Sequence, residues 1–451
     1  MNSHRGLAAS LGVCDNVNWP TRDTRIIRKT VGHLHERWLL SLSVPALLLC
    51  GCGTDATQPG PPSPPEGPLP IVLDFCPLSV PTFFAYRNDG EAWTRLSPDA
   101  NGSFAFTAAP KVAIAFVLAG NQQIETFYTS AQDLEAVSGL TCQGQGGKTL
   151  SGSWANLGAG AFAVVTAGSS RVAGSGPFIL ASVPDGTLDL MAINYRDGIS
   201  PSEAIIRRDL VPADGSSLPV FDFSSAEAVP LASNLLTVSG LLFGDFNNLF
   251  ITIRTANGTT QNWEHGIAYA GATRTFRSVP SALLREGDLH TLSFNARGDS
   301  FTSYREEILY YRQPADKGIV LGSKLNPATF TTLATTPYLR IRGTLPSQPE
   351  YGTAVRFYFS QLGSSGGERD WNVTGTARYF GGSAPSTWEL EIPDLSAVTG
   401  FPAAAGFEAS QTTTASGEAR SNLLGLLIGR PPRDGEFVKY AGSPPTDIPG
   451  R

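Results

Sequence analysis

Charge, methionine and histidine are scarce in this sequence. Charged residues make up 16% of the 451 positions, and the net charge of -6 leaves no basic excess to attract phosphate groups, so we expect no nucleic-acid partner. Long runs of the helix formers Ala, Leu, Glu and Lys are missing, whereas 48 glycines and 33 prolines are present. This composition disfavours a helical fold and favours short strands joined by turns.

Motifs of metal and catalytic sites are missing as well. Beyond the first fifty residues the chain has two histidines, His265 and His290, and it has no HExxH motif, CxxC pair or EF-hand loop. We therefore predict no metal, no cofactor and no catalytic residue. Residues 363–367 fit the pattern G-x-S-x-G, but a nucleophile elbow needs an apolar helix behind it, and a polar stretch follows here. We interpret them as a hairpin loop.

The N-terminal region contains an apolar run that is too short to span a membrane. Basic residues between Arg22 and Arg37 precede residues 38–49, which give about a dozen mostly apolar positions, whereas a spanning helix needs about twenty. The run ends in Leu-Cys-Gly-Cys at residues 49–52. A basic stretch, a short apolar stretch and small residues at its end are the parts of a secretory signal peptide. The alternative is a buried apolar segment of a protein that stays in the cytosol.

The sequence Leu-Cys-Gly-Cys resembles the lipobox of bacterial lipoproteins, which has an aliphatic residue three positions before the modified cysteine and a small residue just before it. The resemblance implies cleavage before Cys52 and attachment of lipid to its sulfur. Cys50 fits less well because the bulky Leu49 precedes it. Gly53, where Asp would signal retention, implies delivery to the outer membrane, on either of its faces. The stretch before the apolar run is long for a signal peptide, so translation from a start near Val31 is a further hypothesis.

Residues 1–51 are accordingly expected to form the signal-peptide region, and residues 52–70 the lipidated cysteine and a proline-rich tether. Such a tether cannot bury a core and prefers an extended polyproline conformation. We expect it to hold the folded part away from the bilayer.

Two cysteines remain after the anchor, Cys76 and Cys142. In an oxidising compartment a single even pair usually forms a disulfide bond. Closing a loop of this length would stabilise the fold by ~4 kcal/mol in the chain-entropy model. Two unpaired buried thiols are the alternative.

Short apolar or alternating runs bounded by turn residues predict an all-β fold for the rest of the chain. Examples are residues 82–86, 112–117, 161–165 and 249–253, which are rich in β-branched and aromatic residues. Five Asn-Gly or Asp-Gly pairs predict turns between such runs, at Asp89-Gly90, Asn101-Gly102, Asp185-Gly186, Asp214-Gly215 and Asn257-Gly258. Short helices are predicted near residues 130–138 and 281–284.

A faint repeat of about a hundred residues runs through the same part of the chain. Residues 202–208 resemble residues 305–311, and Pro-Ala-Asp follows each stretch. An aromatic strand that ends in an aliphatic residue and proline recurs at residues 104–110, 178–184, 276–280 and 388–393. Because an immunoglobulin-like sandwich has about seven strands in that length, we predict tandem antiparallel β-sandwich modules, similar in outline to immunoglobulin-like or transthyretin-like domains. One or two larger sandwiches with coincidental similarities are the alternative.

We place the module boundaries near Gly146, Asn234 and Pro337. The expected modules are residues 71–146, 147–234, 235–337 and 338–451, the last with a C-terminal tail.

Trp263, His265 and Trp371 are the candidate ligand contacts. An acidic residue beside His265 could pair with it, and Trp371 has the comparable place in the next module. A tryptophan that recurs at one module position is more simply a packing residue, and packing is our first interpretation. His290 takes a polar position in an alternating stretch, and we expect it to face solvent.

The carboxylates are scattered in loose pairs. Glu389 and Glu391 share one strand face, which we interpret as solvated. The other pairs are Asp185 with Asp189, Asp209 with Asp214, and Glu306 with Glu307.

These patterns predict a membrane-anchored cell-envelope lipoprotein with a non-catalytic binding or structural role. The N-terminal lipid would contact the membrane, and the β-sandwich modules would be presented to an envelope protein or a polysaccharide. The alternative is a secreted hydrolase or lyase that acts on glycans through paired carboxylates.

Overall fold

Alternation between buried and exposed side chains accounts for many of the strands. In the strand Ser103–Ala108 every second residue is buried, from Phe104 to Ala108, and the residues between them are exposed. A period of two is what a strand with one face on a core produces. The prediction of an all-β fold is confirmed, because the described residues contain thirty strands, one α-helix and three short 3-10 helices.

The computed structural model describes residues 67–75, 80–118, 123–135, 147–269, 273–298, 303–364, 366–426 and 431–450, with the backbone alone for residues 264–269. All of them belong to one unit, Pro65–Arg451. Cys52, Cys76 and Cys142 lie outside the described residues, so the lipid anchor and the disulfide bond stay predictions.

The strands fall into four consecutive sets, which we call modules 1 to 4. Module 1 contains β1 (Leu69–Asp74), β2 (Phe83–Asn88), β3 (Thr94–Leu96), β4 (Ser103–Ala108), β5 (Val112–Val117) and β6 (Gln123–Thr129). Module 2 contains β7 (Lys148–Gly152), β8 (Trp154–Ala155), β9 (Phe162–Ala167), β10 (Ser170–Gly174), β11 (Phe178–Val183), β12 (Leu188–Tyr195), β13 (Glu203–Leu210), β14 (Phe221–Asp222) and β15 (Val229–Pro230).

Module 3 contains β16 (Ala232–Ser239), β17 (Phe246–Arg254), β18 (Thr260–Tyr269), β19 (Thr273–Ser278), β20 (Leu289–Arg297), β21 (Tyr304–Tyr311) and β22 (Lys317–Val320). Module 4 contains β23 (Thr329–Ala334), β24 (Arg340–Pro346), β25 (Ala354–Leu362), β26 (Glu368–Thr376), β27 (Thr387–Glu391), β28 (Thr413–Arg420), β29 (Phe437–Gly442) and β30 (Thr446–Ile448).

All four modules share one strand arrangement. In each module the first long strand pairs antiparallel with an aromatic strand that comes later, namely β1 with β4, β7 with β11, β16 with β19 and β24 with β27. The facing sheet has the orders β3-β2-β5-β6, β10-β9-β12-β13, β18-β17-β20-β21 and β26-β25-β28-β29. Buried side chains of both sheets meet in each core, so the predicted tandem sandwiches are confirmed.

The later strand of each pair, β4, β11, β19 and β27, contains the aromatic segment that recurs before a proline in the sequence. The repeat therefore marks one structural position.

Two of the expected boundaries separate residues that belong to one module. The boundary at Asn234 falls inside β16 of module 3, and the boundary near Pro337 falls between β23 and β24, which pair in module 4.

Modules 1, 3 and 4 share one sheet. Strand β6 pairs in parallel with β26, and β21 pairs antiparallel with β29. These two pairings join three four-stranded sheets, and with β30 the combined sheet has thirteen strands. We call it the central sheet. Its face toward β16, β19, β22, β23, β24 and β27 carries the apolar cores of modules 3 and 4, with Leu292 and Phe357 among the buried residues.

The short helices lie where the sequence predicts them. Helix α1 spans Ala131–Glu135, and the Ser130 hydroxyl accepts a hydrogen bond from the Asp133 N–H at 3.1 Å, which caps its first turn. A 3-10 helix spans Ser281–Leu283. The others span Pro349–Tyr351 and Ala403–Ala405. Within the described part of the chain, no helix has the length and apolar composition needed to cross a bilayer.

The predicted turns are found as well. The glycines at the five predicted turns have positive φ angles, such as +82° at Gly258 between β17 and β18. Residues 363–367 connect β25 to β26, and the Gly363 N–H donates to the Gly367 carbonyl at 2.8 Å. The hairpin interpretation of this G-x-S-x-G stretch is confirmed.

Candidate functional site

A row of charged and aromatic side chains lies on the central-sheet face opposite the cores of modules 3 and 4. Arg356 and Tyr358 alternate along β25 with the core residue Phe357, and Glu418 and Arg420 flank the buried Ala419 on β28. Side chains on a strand alternate between its two faces, so the charged residues all project to the same side. We call this row the polar network.

The strand register brings the members of the polar network together. Arg356 pairs with Glu418, Glu418 pairs with Gly442, and Gly442 pairs with Tyr304. Gly442 has no side chain, and the phenol of Tyr304 lies over it to reach Glu418 on the next strand. The sequence separation of Tyr304 and Glu418 is 114 residues.

Glu418 is the centre of the polar network. It is buried and accepts hydrogen bonds from the hydroxyls of Tyr304 and Tyr358, the latter at 3.1 Å, and from the Arg420 guanidinium. Burial alone would raise the pKa of Glu418, but the charge of Arg420 and the Tyr304 hydroxyl hold it below its usual value. Burial raises the pKa of Tyr358 to about 12. At neutral pH the group is thus a paired carboxylate with two neutral phenols.

Glu125 continues the polar network on β6. One guanidinium nitrogen of Arg356 lies 2.7 and 2.9 Å from the two Glu125 oxygens, and Asn372 and Gln123 donate to the same carboxylate at 2.8 and 2.7 Å. Glu125 is 1% exposed, so its negative charge depends on these partners.

Glu306 extends the polar network to β21 and β20. Its carboxylate accepts hydrogen bonds from Ser293 and Asn295, the latter at 2.8 Å. Tyr440 lies beside Glu306, and burial together with this acid raises the pKa of Tyr440 well above its usual value. Each carboxylate of the polar network therefore accepts hydrogen bonds from other residues of the fold. Such satisfied carboxylates are typical of a structural role.

A small cleft lies beside the polar network, where modules 3 and 4 meet. Its lining includes Asp245, Ser303, Tyr304, Arg305 and Lys324, and its cavity volume is about 10 Å³. A cavity needs about 10–15 Å³ to hold one water molecule. The cleft is therefore about the size of a single water molecule.

The two cations of the cleft, Arg305 and Lys324, differ in whether they form ion pairs with other residues of the protein. Arg305 is buried, forms an ion pair with Asp245 and donates to the carbonyl oxygens of Gly240 and Gly322 at 2.6 and 3.0 Å. Lys324 is exposed, and its amino group has no ion pair with another described residue. Lys324 is thus the cation of the cleft that can meet a ligand from solvent.

A second charged cluster connects module 2 to module 3. Arg208 of β13 donates to Asp189 at 2.9 Å and to Asp288 at 2.6 Å, and all three side chains are less than a tenth exposed. Asn257 donates to Asp189 and Asp209 at 2.9 and 3.0 Å. Burial works against ionisation of Asp189, yet its hydrogen bonds lower its pKa. The cluster holds two modules together with its charges satisfied.

The loose carboxylate pairs of the sequence have separate partners. Glu306 and Glu307 project from opposite faces of β21, and Glu307 lies 3.6 Å from Lys439. Burial raises the pKa of Glu307. Glu389 and Glu391 do share the outer face of β27, and Glu391 pairs there with arginines of β24 at 3.1 and 3.3 Å.

Each acidic residue of these pairs in module 2 also has its own ion-pair or hydrogen-bond partner. Asp185 lies 3.2 Å from Lys148, and Asp189 belongs to the buried cluster around Arg208. Asp209 pairs with Arg285, and Asp214 accepts the Thr149 N–H at 2.7 Å.

The candidate tryptophans are core residues. Trp371 is 0% exposed, its indole N–H donates to the Thr126 hydroxyl at 3.0 Å, and its ring stacks on Tyr338 with centroids 5.6 Å apart. Trp263 is 3% exposed in the core of module 3. Neither ring can be reached by a ligand in this structure. The side chain of His265 lies outside the described part.

The expectation that His290 faces solvent is wrong. His290 is 0% exposed, its Nε2 accepts the Val279 N–H at 3.0 Å, and its Nδ1 lies 3.2 Å from the Arg312 carbonyl. Every second residue of a strand lies on the same face, so His290 shares its face of β20 with the core residues Leu292 and Phe294. The sequence interpretation overlooked this relationship. Burial lowers the pKa of His290 to about 4.

The polar network was not identified from the sequence. Its residues and their partners lie on seven strands of three modules, and no single strand shows the network by itself. The available signal was the placement of Glu418 and Arg420 on either side of an alanine inside one strand, which puts two opposite charges on a common face.

Within the described ranges, no three or more His, Cys, Asp or Glu side chains are grouped so that they could hold a metal ion. No protein-family model matches the chain, and no curated protein matches it either.

Proposed function

We propose that this protein is a cell-envelope lipoprotein that is anchored through Cys52 and has a non-catalytic binding or structural role. The observation that carries the proposal is the sequence Leu-Cys-Gly-Cys at residues 49–52, which follows a basic and an apolar stretch and precedes a proline-rich segment. Its delivery would be to the outer membrane. The sandwich modules would present their loops to an envelope protein or a polysaccharide.

The buried charged groups of the fold have partners inside the protein, which supports a structural role for these residues. Glu125, Glu418 and Asp189 are buried and bound by arginines, so their charges hold strands and modules together. Modules whose strands are joined in one sheet can carry a binding surface on their connecting loops.

Glycan cleavage has less support. A glycosidase needs two carboxylates about 5–10 Å apart on either side of the bond to be cleaved. Glu306 and Glu307 point to opposite faces of one strand, and Glu391 is paired with arginines.

The anchor is tested by labelling cells with an alkyne fatty acid while they produce the tagged full chain. We expect label on the parent protein and on the Cys50→Ala variant, and none on Cys52→Ala. Label that persists on Cys52→Ala would contradict the proposed anchor.

The binding role is tested by chemical crosslinking in native envelopes, followed by purification of the tagged chain. We expect one defined protein, or polysaccharide, to be recovered with the parent and lost with Cys52→Ala. A pair of acids that proves essential for cleavage of an envelope glycan would contradict a non-catalytic role.

A further inference from the structure

The turn between β16 and β17 exposes two large apolar side chains. Phe243 is 105% exposed and the adjacent Leu242 is 41% exposed. Scattered apolar residues are normal on protein surfaces, but a phenylalanine with no covered area beside a half-exposed leucine is unusual in its degree of exposure. We call residues 240–245 the apolar turn.

The apolar turn is held in place at its base. Asp245 accepts the Leu242 N–H at 2.7 Å, and the Asp245 N–H donates to the Leu242 carbonyl at 3.1 Å. Arg305 pairs with Asp245 and donates to the Gly240 carbonyl at 2.6 Å. Because the base is fixed by a buried ion pair, the exposure of Phe243 is built into the fold.

The corresponding turn of module 4 buries its aromatic side chain. It connects β24 to β25, the strands that match β16 and β17, and it contains Tyr351. Tyr351 is 1% exposed, and its hydroxyl donates to the Ser323 carbonyl at 2.8 Å. The arrangement shared by the modules can therefore bury an aromatic residue at this turn, and module 3 presents its own to solvent.

A cation lies near the base of the apolar turn. Lys324 and Asp245 line the same cleft, and Asp245 closes the turn through Leu242. Arg305 neutralises Asp245, and the exposed amino group of Lys324 belongs to the same cleft as this base of the apolar turn. An aromatic tip with a neighbouring lysine matches the interface of an anionic bilayer, with acyl chains below and phosphates at the level of the lysine.

We propose that the apolar turn inserts Phe243 and Leu242 into an anionic lipid bilayer, with Lys324 at the headgroups. Two side chains on a convex turn offer far less than the roughly 600 Å² per partner of even a small stable protein interface. Hydrogen bonds within the turn satisfy the N–H and the carbonyl of Leu242 and the N–H of Asp245, which lowers the cost of bringing these groups to the apolar interface.

The inference rests on the proposed envelope location, since the lipid at Cys52 would keep the protein at a membrane. An extended tether over residues 53–66 would reach about 40 Å, enough for a folded module to touch the surface. The contact itself depends on the apolar turn and can be tested without the anchor.

The test uses the full chain with Cys52→Ser and vesicles of phosphatidylethanolamine and phosphatidylglycerol. Binding is measured by flotation for this parent and for Phe243→Ser, Lys324→Gln and Ile199→Ser. Ile199 is the matched control because it is 80% exposed in a turn of module 2. Deuterium exchange of residues 240–245 with and without vesicles gives a second measurement that the N-terminal segment does not affect.

Phe243→Ser should weaken vesicle binding by about tenfold or more, because burial of one aromatic side chain is lost. Lys324→Gln should weaken it by about fivefold on anionic vesicles and leave binding to phosphatidylcholine vesicles unchanged. Ile199→Ser should bind like the parent, and vesicles should slow exchange in the apolar turn.

Equal binding by Phe243→Ser and the parent would overturn the proposal. So would an equal loss with Ile199→Ser, or loss of a crosslinked protein partner in Phe243→Ser with vesicle binding intact. All these results are independent of lipid labelling at Cys52, so the proposed anchor and the bilayer contact can fail separately.

Discussion

Gly442 gives Tyr304 the space to cross from β21 to β28. A methyl group at residue 442 would lie 2.3 Å from Cε1 of the Tyr304 ring, far inside van der Waals contact. The ring passes over the glycine and its hydroxyl donates to Glu418. The polar network between modules 3 and 4 therefore depends on a residue without a side chain.

We expect Gly442→Ala to push the Tyr304 ring away and to destabilise the protein by about 1–3 kcal/mol, the usual cost of inserting a methyl group into a packed site. The free energy of unfolding in urea is the measurement. Because the clash is with one ring, Tyr304→Ala in the same chain should make the effect of Gly442→Ala much smaller than it is in the parent. Additive losses would show that the glycine acts through something other than Tyr304.

The ion pair between Arg356 and Glu125 gives a second prediction. Arg356→Met would leave the Glu125 carboxylate buried without its cation, and we expect a loss of about 3–5 kcal/mol in the free energy of unfolding. Arg356→Met with Glu125→Gln should recover a substantial part of that loss, since the buried charge is then gone.

The matched control is Arg342→Met. Arg342 pairs with Glu391 at 3.1 Å, but both side chains are more than a third exposed, and an exposed pair contributes less than about 1 kcal/mol. A loss at Arg342 as large as at Arg356 would contradict the distinction between the buried and the exposed pair.

The buried imidazole of His290 makes stability depend on pH. Its pKa is about 4 in the folded protein, and about 6.5 is usual for an unfolded chain. Between these values the unfolded chain takes up the proton and the folded one does not, so stability falls as pH falls. The contribution is complete above about pH 6.5 and is lost toward pH 4, by roughly 3 kcal/mol.

The measurement compares unfolding free energies of the parent and His290→Gln at pH 7, 5.5 and 4. We expect the difference between the two proteins to shrink as the pH decreases, because Gln does not titrate. A difference that stays constant over this range would show that the pKa of His290 is the same in the folded and the unfolded protein.

Local features of the fold could be predicted from the sequence because they depend on residues a few positions apart. Alternating patterns gave strands such as β4 and β17, and the Asp-Gly and Asn-Gly pairs gave turns with positive φ. The aromatic segments that precede a proline are one strand in each module, so the repeat reflects the packing of that strand against the first.

The candidate site could not be predicted in the same way. A period of two tells which residues share a strand face, but it does not tell what covers that face. For His290 the period itself pointed to the core, because His290 shares a strand face with Leu292 and Phe294, and the prediction of a solvent-facing side chain overlooked this. The recurring position of Trp263 and Trp371 predicted packing residues first and ligand contacts second, and both side chains fill cores.

Side-chain alternation and backbone preference act over short distances, so the sequence alone predicts that the chain forms strands, where it turns and which segments recur. The pairing of β6 with β26 and of β21 with β29, which merges three modules into the central sheet, is visible only in the folded structure. Such pairings use backbone hydrogen bonds that any strand can make. Shape and charge complementarity between distant segments, as between Glu125 and Arg356 across 231 residues, then select one partner from many.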